Sequence, residues 1–204
     1  MKKLNLILCA CAIAVMGLSV SCKNDLAERK DVRYKSYEYV YTVSGTITTH
    51  TVYYECNPAG DVTSNDTFDE TNTIDSATAV ISWSDSKVVS TNGTEYEVEI
   101  TKAKGKTKDV AKDKDGNELY NAENEYENEN RDLTFYKIGK KFYMQTSSGY
   151  SEPIDADFPK GKDFTLSFTV TTKTNNDDSF IPKDSKEEDS TTSTVTYNLS
   201  FKAK

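Results

Sequence analysis

The 204-residue sequence predicts an all-β fold, an antiparallel meander that forms a single β-barrel or a β-sandwich. Three observations support this prediction. Several segments alternate polar with aromatic or β-branched residues, which is typical of strands with one buried face. Turn signals such as Asn92-Gly93 and Asp115-Gly116 separate these segments. No segment after residue 22 shows the 3.6-residue apolar period of a helix of useful length.

The first strands come from the tyrosine-rich part of the chain. Residues 33–56 alternate with a period of two, and Gly45 marks a bend within them. Residues 57–60, Asn-Pro-Ala-Gly, predict a turn, and residues 61–68 predict the return strand. Residues 69–76 are polar, and we expect them to form a loop.

The middle of the chain predicts further hairpins. Residues 77–83 read as a short strand, and residues 95–100 alternate glutamate with Tyr, Val and Ile, which predicts a half-buried antiparallel strand. Residues 102–120 predict a projecting hairpin, and residues 133–146 predict another. Residues 122–132 are rich in Asn and Glu, so we expect a solvated, mobile loop there.

The last hairpin is the best candidate for the core. Pro153 and Pro159 bracket an irregular crossing before it, and residues 175–190 form a polar, mostly acidic segment between its strands, predicted as an exposed loop. Each strand carries four apolar residues at every second position, so the two can pair with matched apolar faces. These residues are Phe164, Leu166, Phe168 and Val170 in the first strand, and Val195, Tyr197, Leu199 and Phe201 in the second.

The N-terminal residues predict export and lipidation. Lys2 and Lys3 precede an apolar run that ends in small residues, the pattern of a secretory signal. Residues 18–22, Leu-Ser-Val-Ser-Cys, resemble the lipobox of bacterial lipoproteins, although that family usually has Leu where Ser19 stands. The resemblance implies that signal peptidase II cuts between Ser21 and Cys22 and that Cys22 carries the acyl chains. An ordinary secretory signal and a transmembrane anchor are the alternatives.

This interpretation divides the chain into a signal peptide (1–21), a flexible tether (22–32) and one all-β domain (33–204). More than one acyl chain is needed for stable anchoring, at about 0.8 kcal/mol per buried methylene, and Cys22 would carry two or three. Lys23 stands where enteric lipoproteins retained at the inner membrane usually carry Asp, so the resemblance implies the outer membrane.

Charge and cysteine content argue against several classes of function. The net charge of −8 falls by a further two when Lys2 and Lys3 are removed, and so acidic a chain is repelled by nucleic acid. With Cys22 acylated, only Cys56 remains after the leader, so the mature domain has no internal disulfide; Cys56 is expected to be a small buried residue rather than a reactive thiol. The single histidine, His50, lies six residues from Cys56. On one continuous strand that spacing is about 20 Å, too far for a catalytic pair, so His50 is expected on the sheet surface.

We find no motif that indicates catalysis, a cofactor or a metal. Residues 113–118, Asp-Lys-Asp-Gly-Asn-Glu, have the glycine in the wrong register for an EF-hand calcium loop, and a hairpin turn explains them. The alternating glutamates from Glu123 to Glu129 are better explained by solvation than by cation binding. Carboxylates are abundant throughout the chain, but no pair stands out as catalytic.

The sequence therefore favours a non-enzymatic, lipid-anchored domain that presents loops to a protein or glycan at the cell envelope. Trp83 and the tyrosines are its candidate contact residues, and simple core packing is the alternative for them. A second hypothesis is a carrier of a small apolar ligand, because the strand content resembles that of lipocalins. Lipocalins, however, usually carry Gly-x-Trp on the first strand, and Trp83 follows Ile81-Ser82 in mid-chain. An envelope hydrolase is the third and weakest hypothesis.

Overall fold

The computed structural model describes residues 35–85, 94–146, 149–175 and 187–204, which belong to the compact unit Ser36–Lys204 apart from the first residue. The predicted signal peptide and tether, the Asn92-Gly93 turn and most of the acidic segment after residue 175 lie outside these ranges. Within the described ranges, no helix is long and apolar enough to cross a membrane. The strands are β1 (Lys35–Cys56), β2 (Val62–Asp85), β3 (Thr94–Lys112), β4 (Glu118–Ile138), β5 (Lys141–Thr146), β6 (Gly149–Tyr150), β7 (Phe164–Asn175) and β8 (Glu188–Ala203).

All eight strands form one antiparallel sheet in the order β6-β5-β4-β3-β2-β1-β8-β7. Strands β1 to β6 are a meander, since each lies beside the strand that precedes it in the chain. Residues 151–163 then cross to the far side of the sheet, where β7 forms the edge and β8 lies between β7 and β1. The irregular crossing predicted between the two prolines is therefore confirmed.

The all-β antiparallel prediction is confirmed, but the sheet is not closed into a barrel. Among the described strands, β6 and β7 each pair on one side only. The loops predicted at residues 69–76 and 122–132 are wrong, because these residues lie inside β2 and β4. Their polar side chains do not prevent strand formation, since each segment is hydrogen-bonded to β3 along its length.

The core forms because the sheet curls until distant strands pack face to face. The rings of Phe135 in β4 and Phe168 in β7 lie 5.8 Å apart, although four strands separate β4 from β7 in the sheet. Phe158, from the crossing segment, packs on Phe135 and Phe142 with ring centroids 5.1 and 5.2 Å apart. Aromatic side chains thus connect β4 with β7, which are not paired through backbone hydrogen bonds.

The predicted last hairpin and the inward face of its strands are confirmed, and the structure supplies the register. Phe164 pairs with Phe201, and Leu166 pairs with Leu199. In the same register Val170 pairs with Val195. The predicted face therefore points to the core, with Leu166 and Phe201 almost completely buried.

Glycines and bulges occur where the backbones approach closely. Gly45, at φ +143°, lies against β8, and a Cβ there would be 2.1 Å from the carbonyl oxygen of Asn198. Gly105 lies at the register shifts that join the two halves of β3, and a Cβ there would be 1.9 Å from the carbonyl oxygen of Thr73. The bend predicted at Gly45 is therefore a close strand contact inside one continuous strand.

Candidate functional site

The predicted lipidation and cleavage residues, Cys22 and Ser21, lie outside the described residues. The predicted tether does so as well. The structure does describe where the chain enters the β domain. Strand β1 begins at Lys35, at the end of the sheet that contains the aromatic core, and ends at Cys56 at the opposite end.

His50 and Cys56 do not form a catalytic pair. Strand β1 runs without interruption through both residues, so their six-residue separation corresponds to about 20 Å. The exposed His50 ring instead places Nδ1 2.6 Å from Oδ1 of Asp69 in β2. Cys56 is buried, with 8% of its surface exposed. The prediction that His50 lies on the sheet surface is confirmed, and Cys56 is a buried residue as expected.

Residues 113–117 form a hairpin turn. Oδ1 of Asp113 accepts hydrogen bonds from the backbone N–H groups of Asp115 and Asn117, and Oδ2 accepts one from the Asn117 side chain. These bonds, the Asn117 side chain above all, hold the pKa of the Asp113 carboxyl below its ordinary value of 3.8. Gly116 adopts the positive φ of +83° that the turn requires. Among the described residues, no group of three or more His, Cys, Asp or Glu side chains is arranged to hold a metal ion.

Trp83 is part of the core and does not form an open stacking platform. It is 7% exposed, and its ring stacks on Tyr37, Tyr39 and Tyr96 with centroid distances of 5.3, 5.6 and 5.0 Å. Nζ of Lys160 lies 3.6 Å from the Tyr37 ring centroid and covers that end of the stack. The packing alternative therefore accounts for Trp83, Tyr37, Tyr39 and the buried Tyr41. Of the other candidate tyrosines, Tyr54 is partly buried, Tyr53 is 46% exposed on β1, and Tyr34 lies outside the described residues.

Beyond the core, the strands continue as a sheet that we call the distal sheet. The core residues farthest from the entry end include Ile47, Ile74 and Ala103, and the partly buried Tyr126 is the one distal residue that packs against this core. The distal parts of β1 and β3 add nine residues each, about 30 Å of strand. Both faces of this region carry mostly polar side chains and lie at the end opposite the chain entry. The distal sheet comprises residues 48–56, 62–73, 104–112, 118–132, 171–175 and 188–194.

Cross-strand polar pairs hold the distal sheet together. Lys106 in β3 lies 3.4 Å from Glu123 and 3.6 Å from Glu125 in β4. At the junction with the core, the Tyr126 hydroxyl donates to Oδ1 of Asn72 at 2.7 Å. The Asn72 side chain, only 1% exposed, in turn donates to the Thr107 hydroxyl at 3.2 Å. Such pairs contribute roughly 0.2–1 kcal/mol each, enough to favour pairing but not to replace a core.

An open cleft of about 390 Å³ lies where the distal sheet meets the core. Its most distinctive residue is Arg131, the one arginine in the described part of the chain. The guanidinium binds Glu129 at 3.1 Å, while Nε is buried and has no hydrogen-bond partner among the described residues. Burial raises the pKa of the Tyr197 hydroxyl beside it, an effect that the Arg131 charge partly offsets. The other lining residues are Ile47, Thr49, Glu70, Asp132, Leu133 and Val195.

This cleft presents polar groups beside apolar surface. Glu70 and Asp132 supply carboxylates and Arg131 supplies a guanidinium, and the apolar side chains of Leu133 and Val195 line the same cleft. Sequence reasoning missed Arg131, and the one available signal was its position in alternation with Leu133 and Phe135 on the inward face of β4.

Comparison of the chain with protein-family models, with curated proteins and with solved structures finds no match. The chemistry of the distal sheet and of the cleft is therefore the basis for assigning a function. Two features bear on it most directly: the distance of the distal sheet from the point of chain entry, and the Arg131 guanidinium in the cleft.

Proposed function

We propose that the chain is a lipid-anchored lipoprotein of the cell envelope whose β domain binds a partner and is not an enzyme. The distal sheet is the observation that carries this proposal. Its strands β1 and β3 extend about 30 Å past the hydrophobic core, at the end of the domain opposite the entry of the chain. An anchor on Cys22 would join the β domain at its core end, so that the distal sheet is the part of the domain farthest from the point of attachment.

The partner is proposed to be a protein or a glycan that contacts the distal sheet. Polar side chains on both faces offer hydrogen bonds, and the Arg131 cleft adds a charged donor beside Glu70. The net charge of −8 favours a partner that is not itself strongly acidic. The carrier alternative requires an enclosed apolar cavity, and Phe135, Phe158 and Phe168 occupy the interior position that it would need.

The anchor is tested by membrane fractionation of cells that express Cys22→Ala. We expect this variant to leave the membrane fraction, whereas Cys56→Ala, a matched change at the other cysteine of the mature chain, should stay membrane-bound. Because Lys23 follows Cys22, we further propose that the anchor lies in the outer membrane. Protease treatment of intact and lysed cells then identifies the face of that membrane on which the domain lies. If Cys22→Ala sediments with membranes as firmly as the unmodified chain, the lipoprotein proposal is wrong.

Binding by the distal sheet is tested with a photo-crosslinking amino acid in living cells. Tyr120 in the distal sheet and Ile138 at the core end of the same strand have similar exposures, 50% and 44%. The proposal expects discrete crosslinked products from position 120 and few from position 138. Products at position 138 without products at position 120 would place binding at the core end and refute a role for the distal sheet.

A further inference from the structure

Strand β7 ends the sheet on one side with an exposed edge. On one side β7 pairs with β8 through twelve consecutive residue pairs without a bulge, from Phe164–Phe201 to Asn175–Ser190. No described strand pairs with its other edge. The backbone donors and acceptors along that edge can therefore pair with another strand.

The sequence of β7 lacks the features that normally protect an edge strand. From Phe164 to Thr172 it contains no charge, no proline and no glycine, and it is rich in Thr, Phe and Val. Its outward face shows exposed Thr165, Ser167, Thr169 and Thr171. Residues 164–172 are therefore a regular, uncharged stretch of edge, and Lys173 is the one charged residue in β7.

The other long free edge of the sheet is protected. Beyond the short pairing with β5, residues 118–132 of β4 have one free side, and they carry six carboxylates. Asn128 in this segment has a positive φ of 61°, and Lys102 in the neighbouring strand has one of 53°, so the edge is also irregular. Charge and bulges therefore disfavour pairing at β4, and the contrast identifies β7 as the edge available for association.

We propose that β7 pairs antiparallel with β7 of a second copy of this chain, about a two-fold axis at Phe168. The charges favour this occupant and this register. Asp163, immediately before β7, and Lys173, near the end of β7, are the nearest charged residues on either side of the uncharged stretch, each five positions from Phe168 and exposed; Oδ1 of Asp163 accepts a hydrogen bond from the backbone N–H of Ala203 at 2.9 Å. Antiparallel pairing about Phe168 places each Asp163 opposite the other copy's Lys173, which already lies 2.9 Å from its own Glu188.

The remaining pairs in this register are also compatible. Thr165 meets Thr171 and Ser167 meets Thr169 on the outward face, where hydroxyl pairs already occur within one chain. Thr171 and Thr194, for example, lie 3.1 Å apart. On the inward face Leu166 meets Val170, and both are buried within their own copies. Backbone hydrogen bonds supply most of the contact, so the dimer is weak in dilute solution and is favoured where copies are concentrated, as on a membrane.

The test is disulfide crosslinking between two differently tagged, full-length copies in intact cells. One copy carries Thr165→Cys and the other carries Thr171→Cys, positions that face each other at disulfide distance in the proposed register. We expect a mixed dimer from this pair. Two copies that both carry Thr165→Cys should crosslink poorly, because six residues, about 20 Å, separate the two cysteines.

A charge exchange tests the same register independently. Lys173→Asp opposes like charges at both ends of the ladder and should lower the crosslinking yield by about tenfold, and Asp163→Lys in the same chain should restore it. Crosslinking of position 171 to a different polypeptide, equal yields from both cysteine pairs, or a yield unaffected by Lys173→Asp would each overturn the proposal. None of these results depends on which partner the distal sheet binds.

Discussion

Replacing Phe158 with alanine tests whether the crossing segment completes the core. Phe158 is 6% exposed, and its ring lies 5.3, 5.1 and 5.2 Å from those of Tyr96, Phe135 and Phe142. Removing a buried phenylalanine costs about 3–5 kcal/mol, from lost burial and from the cavity left behind. Since these three rings come from β3, β4 and β5, which cannot all move inward, we expect a cost of about 4 kcal/mol.

Urea unfolding of the mature chain carrying Cys22→Ser measures this cost. Trp83 is the single tryptophan, and it stacks on Tyr96, which stacks on Phe158, so its fluorescence reports on this part of the core. At a slope of about 2 kcal/mol per molar urea, the midpoint should fall by about 2 M. Leu119→Ala is the control, because Leu119 is 64% exposed and its loss should cost less than about 0.5 kcal/mol.

A midpoint shift for Phe158→Ala as small as that of the control would refute the role of the crossing segment in the core. If the alanine variant does not fold, Phe158→Leu provides the measurement. Leucine retains much of the apolar volume but no aromatic ring, so its expected cost is about 1.5 kcal/mol.

Two further predictions concern local structure. Gly45→Ala should lower the free energy of unfolding by about 3 kcal/mol, because the added Cβ meets a β8 carbonyl and φ is +143°. Gly116→Ala, at φ +83° but with open space around the added Cβ, should lower it by about 1 kcal/mol. Equal shifts in the urea midpoint would contradict the packing argument. Asp113→Ala should destabilise the protein at neutral pH. Because the folded-state pKa of Asp113 lies below 3.8, its stabilisation is present above that pH and is lost as the pH falls through the folded-state value. The difference in unfolding free energy between the two proteins should therefore shrink below about pH 3.8, and a difference that stays constant down to pH 2.5 would contradict this linkage.

The core half of the fold can be predicted from the sequence, because burial of one strand face requires apolar residues at every second position. Leu166, Phe168 and Val170 alternate with Thr and Ser, and the face that they share follows from that alternation. The turns at residues 57–60 and 113–117 are equally local, since Asn57 and Asp113 make their hydrogen bonds within four residues.

The distal sheet could not be predicted, because its strands bury few apolar side chains and most of its buried residues, such as Thr51, Asn72 and Ser190, are polar. Residues 122–132 have the composition of a solvated loop, and what makes them a strand is a partner elsewhere in the chain: Glu123 and Glu125 oppose lysines of β3. The Arg131 cleft was missed for a related reason. It joins β4 to β1, β2 and β8 through the curl of the sheet, and that curl depends on packing around Phe158, which single-sequence patterns do not reveal.

The main hydrophobic core of the described residues does not extend beneath the distal sheet, and this links the stability of the distal sheet to its proposed function. Strands held by cross-strand pairs alone open at lower free energy than strands that cover a core, because each pair contributes only a fraction of a kcal/mol. A partner that covers one face of the distal sheet supplies the burial that this region lacks. Binding then stabilises the folded domain in proportion to the logarithm of partner concentration. Pairing of β7 with a second copy acts in the same direction, since β7 continues from the core into the distal sheet as far as Asn175. The two proposed contacts would therefore stabilise the same weakly supported end of the sheet, one across its face and the other along its edge.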